Sequence, residues 1–161
     1  MTVWVFAMVA VAGGLGSALR AAVDAAVHQA AVHQAAQRTE RRSAQQYLRR
    51  TGRSAAQSPR SIALPLGTAV VNVSGSFLLG VVTGSAVAGV LPTEWQAVVA
   101  TGLLGGYTTF STASLETVRL VQAGRFGAGL LIGFGVLVLS VAAAWAGLAI
   151  AAVTIGAAAA T

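Results

Sequence analysis

The chain has no cysteine and no lysine, and only four acidic residues among 161. Without cysteine, disulfide frameworks, zinc–thiolate sites and cysteine nucleophiles are excluded. All ten positive charges are therefore arginines. Charged residues make up 9% of the chain, far below the roughly 25% of a soluble domain. Hydrophobic residues make up 56%, with a mean hydropathy of +0.77. Those values define an integral membrane protein with no room for a large soluble domain. No nucleophile–base pair or metal-ligand cluster stands out, so an enzyme is not expected. The net charge of +6 raises nucleic acid as a partner. The arginines lack the interleaved aromatics of such a surface, and arginines beside apolar spans set topology. No nucleic acid partner is expected.

What is present is four long apolar runs, at about 2–23, 64–90, 95–120 and 126–155. Each is near or above the roughly 20 residues that a spanning helix needs. The first run lacks a positive leading region, which argues against a cleaved signal peptide. The sequence thus predicts an all-α membrane protein, a single membrane domain over 1–161 with a broken third helix. Residues 24–61 interrupt it as an arginine-rich insertion. Its first half, with the near-repeat around His28 and His33, predicts a short helix, and its second half, from Arg38 onward, predicts a solvated basic linker. His28 and His33 are five apart, the wrong spacing for one helical face, so a surface repeat is expected rather than a metal site.

Arginine placement predicts orientation. With four spans, the loops after the first and third share one side. That side holds Arg20, Arg38, Arg41, Arg42, Arg49, Arg50, Arg53, Arg60, Arg119 and Arg125, and the other side holds none. By the positive-inside rule both loops are cytoplasmic and both termini are outside the cell membrane. Arginines so near the bilayer also make anionic membrane lipid an expected partner, at about 1 kcal/mol each.

The second span carries Thr68, Asn72 and Ser76 at i, i+4, i+8, on one helical face. An asparagine at membrane depth must find partners. One reading is interhelical bonding at about 1 kcal/mol. The other is a stripe of neutral donors along an anion path, since hydroxyl and amide hydrogens can meet an anion without holding it too tightly to leave. Gly80 and Gly84 predict close helix packing.

The third span contains Gly105-Gly106-Tyr107-Thr108-Thr109-Phe110-Ser111-Thr112. The paired glycines and weak helix formers predict unwinding there, which frees carbonyls upstream and N–H groups downstream. The edge of the Phe110 ring is positive and can meet an anion. Glu116 is either a partner of Arg119 at i, i+3 or a group at a pore mouth. In the fourth span Ser140 is the one clear polar residue up to Leu148. A lone serine there commonly bonds back to its own helix. Gly129 and Gly133 read as packing.

These motifs, with Gly13-Gly14-Leu15-Gly16-Ser17 through Arg20 and Gly67-Thr68 through Phe77, closely resemble the Fluc (CrcB) family of fluoride channels. The resemblance covers all four spans in order and leaves out the 24–61 insertion. It implies passive fluoride export that lowers cytoplasmic fluoride toxicity, through an antiparallel dimer with two pores. It implies a structural, untransported Na+ bound by backbone carbonyls, which by motif match are those of Gly105 and Thr108. It implies a pore path at Thr68, Asn72, Ser76, Phe110, Thr112 and Ser140, with Arg20 and Glu116 at a vestibule. Two positions depart from the family: Ala113 replaces a second phenylalanine, and Val136 stands where a tyrosine is usual. With all arginines on one side, these departures predict a partner subunit of opposite orientation, a paralogue, although a homodimer is the simpler family form. Two other functions compete. A non-conducting assembly subunit would not need a pore-facing polar stripe. A small multidrug exporter would need a carboxylate within the first span, which has none before Asp24.

Overall fold

The computed structural model describes residues 2–49 and 66–159, and every regular element among them is helical. Helix α1 spans Val3–Arg49. At 1.5 Å per residue its 47 residues extend about 70 Å, more than twice a hydrocarbon core of about 30 Å. The sequence predicts the end of this span near Val23 and a linker from Arg38. The helix instead continues to Arg49, because Ala, Gln, Glu and Arg are good helix formers and neither Gly nor Pro intervenes between Gly16 and Gly52. The remainder of the predicted linker, and the predicted start of the second span, lie outside the described residues.

Helix α2 covers Leu66–Val87. It ends where Gly89 takes φ 75° and the Val90 N–H reaches back to the Ser85 carbonyl at 3.0 Å, a closure that requires a left-handed residue after the last turn. Pro92 then starts a rod over 93–107. It comprises α3 (Thr93–Gln96), a widened π-helical segment (Ala97–Leu104) and α4 (Gly105–Tyr107). Two extended residues, Thr108 and Thr109, separate it from α5 (Phe110–Gln122). Gly124, φ 74°, closes α5 as Gly89 closes α2, with Arg125 N–H on the Leu120 carbonyl at 2.9 Å. Helix α6 completes the chain at Phe126–Ala159.

Among the described residues, three helical stretches are long and apolar enough to cross a membrane: Val3–Gln34, Leu66–Val87 and Phe126–Ile155. The third predicted span is cut at 108–109 into pieces too short to cross alone. The cut falls three residues later than the glycine pair suggests. Gly105 and Gly106 stay helical because packing, not propensity, decides there: Gly106 lies directly on the Gly13 carbonyl of α1.

Helix–helix contact in lipid gains little from hydrophobicity and depends on close van der Waals approach. Glycines provide it at three seams. On α1 against the 93–107 rod, Gly16 faces the Leu103 carbonyl, and Gly102 faces Val9 and Ala12. On α2 against α6, Gly80 meets Ala144, Gly84 meets Ala151, and Gly147 meets the Phe77 carbonyl. On α5 against α6, Gly129 and Gly133 seat Thr117. The apolar core is correspondingly small, centred on Val5, Ala12 and Val98.

Candidate functional site

A helix end leaves carbonyls without donors, and each must be met by something else. At the 108–109 break the Leu104 carbonyl accepts from both the N–H and the hydroxyl of Thr108, at 2.9 and 3.0 Å. The Gly106 carbonyl accepts from the Ser17 hydroxyl of α1 at 3.3 Å. Asn72 of α2 takes both peptide groups of Thr109. Its Oδ1 accepts the Thr109 N–H at 2.8 Å, and its Nδ2 donates to the Thr109 carbonyl at 2.9 Å. In a continuous helix that N–H would serve the Gly105 carbonyl. On the other side of the break Thr109 caps α5: its hydroxyl accepts from the Thr112 N–H and donates to the Thr112 hydroxyl. The buried Tyr107 ring closes the base, its hydroxyl 3.0 Å from that of Ser74.

Beside the break, α2, α5 and α6 border an open cavity of about 510 Å³. Asn72, Ser76, Phe110 and Ser140 all line it, together with Ala113 and Val136. Several of its hydroxyls are committed to their own helices: Ser114 to the Phe110 carbonyl and Thr117 to the Ala113 carbonyl, each at 2.9 Å. Ser140 is not. Its Oγ is buried and, among the described residues, has no hydrogen-bond partner, so it does not bond back as a lone serine commonly does. Ser76 is likewise uncommitted among the described residues, and one Asn72 amide hydrogen is left over. The cavity thus offers a few neutral donors on otherwise apolar walls, and its lining includes no charged group.

The other predicted site residues lie elsewhere. Thr112 is exposed and belongs to the α5 cap. Thr68 is 5% exposed and lies beside the Glu116 carboxyl, whose Oε2 is buried and unpartnered among the described residues. Asp24 and Arg119, the latter being the partner considered from the sequence, are the charges that act on Glu116. Asp24 reaches the start of α2, where it touches Gly67. Arg20 is half-buried, and His28 and His33 are exposed. Phe110 is 83% exposed, so most of its ring stands outside the chain.

Two features make the break suitable for a hard cation. The Gly105 carbonyl lacks its helical donor, and the end of the 93–107 rod carries the partial negative charge of a helix C-terminus. Among the described residues no group of three or more His, Asp or Glu could hold a metal; the oxygens at the break, those of Gly105 and Thr108 among them, are neutral carbonyls. The partners that sequence reading missed are Thr109 and Ser17. Hydroxyls beside a glycine pair were the available signal, but nothing in one sequence says which backbone groups they reach.

A multi-pass helical membrane protein, with a span broken at a polar cleft, is the class that this arrangement defines. The chain belongs to the CrcB family: the family described as CrcB-like protein, Camphor Resistance (CrcB), matches residues 7–148. It is 40% identical over 148 residues to the fluoride-specific ion channel FluC 1 of Leifsonia xyli subsp. xyli, covering 92% of this chain and 87% of that one. It is 45% identical over 87 residues to FluC 2 of Nitrobacter hamburgensis, covering 53% and 70%. Against a FluC of Thermus thermophilus it is 43% identical over 83 residues, covering 52% and 65%. This is a family of fluoride channels, not of enzymes.

Proposed function

We propose that this chain is a subunit of a fluoride-selective channel that lets fluoride leave the cell passively. The observation that carries the reading is the cavity in which Asn72, Ser76 and Ser140 converge with Phe110. A small anion that sheds water there meets hydroxyl and amide hydrogens and a positive ring edge. No arginine stands in that lining to trap it, and conduction requires binding weak enough for exit. Similarity to proteins named fluoride-specific channels supplies the ion's identity.

The subunit works in an antiparallel dimer. The exposed Phe110 ring faces outward, where a second subunit completes the path. The carbonyls of Gly105 and Thr108 would hold a sodium ion, whose charge stabilises the opposed helix ends and which is not transported. Both termini lie outside the cell membrane and the arginine-rich segments inside. Such one-sided charge favours a single insertion direction, so the partner is a paralogue of opposite orientation. Ala113 and Val136, which leave the cavity wall apolar, fit an asymmetric pair.

Fluoride-electrode efflux from liposomes tests the reading, with this chain alone and with a co-expressed paralogue. Efflux is expected from the pair and not from the chain alone. Rapid efflux from the chain alone would remove the heterodimer, and none from either preparation would remove the channel.

A further inference from the structure

We infer that Asn72 is a positioning residue for the cation at the break, and not only a donor to the anion path. The inference rests on the reading of Gly105 and Thr108 as cation ligands and assigns what keeps the Gly105 carbonyl available; the Thr108 carbonyl is freed separately, by the Thr109 hydroxyl that takes the Thr112 N–H. An extended residue between two helical segments is held against a strong local alternative. Thr109 could rejoin the helix by placing its N–H on the Gly105 carbonyl, which would extend the rod by one residue. The Asn72 side chain blocks that at both ends of the residue. Its Oδ1 occupies the Thr109 N–H at 2.8 Å, and its Nδ2 holds the Thr109 carbonyl at 2.9 Å. The Gly105 carbonyl is left without a helical donor as a direct result. The neighbouring Gly106 carbonyl differs, because it is met by the Ser17 hydroxyl of α1.

Asn72 is therefore shared between two sites. Its Oδ1 and one amide hydrogen hold the break, one amide hydrogen is left over, and the residue lines the cavity with Ser76 and Ser140. One side chain couples the Gly105 carbonyl to the anion path. Losing it would both release the Gly105 carbonyl to the helix and remove a donor from the cavity.

The test separates these roles with a readout other than efflux. The purified dimer is melted in detergent over a series of Na+ concentrations, with N-methylglucamine replacing Na+ at constant ionic strength. A ligand that binds only the folded state stabilises it by RT ln(1 + L/Kd), with L the free ligand concentration, so the melting temperature rises without saturating. The Na+ concentration at which the rise sets in, the midpoint, is fixed by the dissociation constant. Asn72→Ala is expected to raise the Na+ midpoint about tenfold, the equivalent of one to two lost hydrogen bonds. Ser85→Ala, whose hydroxyl bonds only the Val81 carbonyl of its own helix, is expected to leave the midpoint unchanged. A merely structural defect lowers the melting temperature equally at every Na+ concentration and does not move the midpoint. If Asn72→Ala cannot be purified, Asn72→Gln, which displaces both amide groups by one methylene, is titrated instead and is expected to shift in the same direction. An unshifted midpoint in the variant, with normal Na+ stabilisation of the wild type, overturns the inference alone. Absence of Na+ stabilisation in the wild type overturns the cation reading with it.

Discussion

Gly106 rests on the carbonyl of Gly13: a β-carbon added to Gly106 would overlap that oxygen and come within 3.0 Å of its carbon. The obstructing atoms are backbone, which cannot rotate away. Gly106→Ala must therefore push α1 off the rod, and overpacking of this kind costs about 1–3 kcal/mol. Thermal unfolding in detergent should show a clear fall for Gly106→Ala. Gly135→Ala, with nothing within 4 Å of the new carbon, should show none. Equal melting temperatures for the two variants would disprove the packing account.

Ser140 separates stability from conduction. Its buried hydroxyl lacks a partner among the described residues, and such a group costs the folded state about 1–3 kcal/mol. Ser140→Ala should leave the melting temperature unchanged or raise it. The same substitution removes a donor from the proposed anion path, and a hydrogen bond to a charged group is worth about 1.5–3 kcal/mol. Fluoride efflux of the active dimer should fall about tenfold or more. A variant that is stabilised and conducts normally would place the anion path away from this hydroxyl.

Thr109 is held by its backbone to Asn72 and caps α5 with its side chain. Thr109→Ala removes the cap alone and should cost about 1 kcal/mol, which Thr109→Ser recovers in large part. Chemical unfolding of the three proteins checks the order. The left-handed glycines offer a parallel measurement: Gly124→Ala, at φ 74°, should cost about 1–2 kcal/mol, and Gly124→Asn less.

Orientation can be read without background labelling because the chain has no cysteine. Single cysteines at Thr2→Cys and Ser54→Cys should differ completely toward a membrane-impermeant maleimide in intact cells. The first should be labelled, and the second only after the membrane is opened. Partial labelling of both would show dual insertion, which would remove the reason for a paralogous partner.

Apolar length is a property of the chain alone: α2 ends at Val87 and α6 starts at Phe126, close to the end of the second and the start of the fourth apolar run. The length of α1 was less legible. Charge density suggested a linker, whereas local propensity over the stretch from Ala21 to Arg49 favours helix throughout. The glycine pair at 105–106 drew attention to the right region and to the wrong residues. Its glycines serve the α1 seam, and the unwinding falls on Thr108 and Thr109, where Asn72 supplies a competing set of hydrogen bonds. The members of the Thr68–Asn72–Ser76 stripe on α2 divide in what they meet. Thr68 meets Glu116, Asn72 holds the break, and Ser76 faces the cavity.

Composition and hydropathy by themselves determined a multi-pass helical membrane protein with a polar interruption in its third span, since lipid admits no unsatisfied backbone. Motif resemblance pointed to the family. Only the tertiary structure decided which hydrogen-bonding groups are already used and which are left over. That property depends on what each donor and acceptor meets across helices: Asn72 and Thr109 are 37 residues apart, and Ser17 and Gly106 are 89 apart. No local pattern in the sequence carries such pairings, because they arise only when close glycine seams bring the helices together.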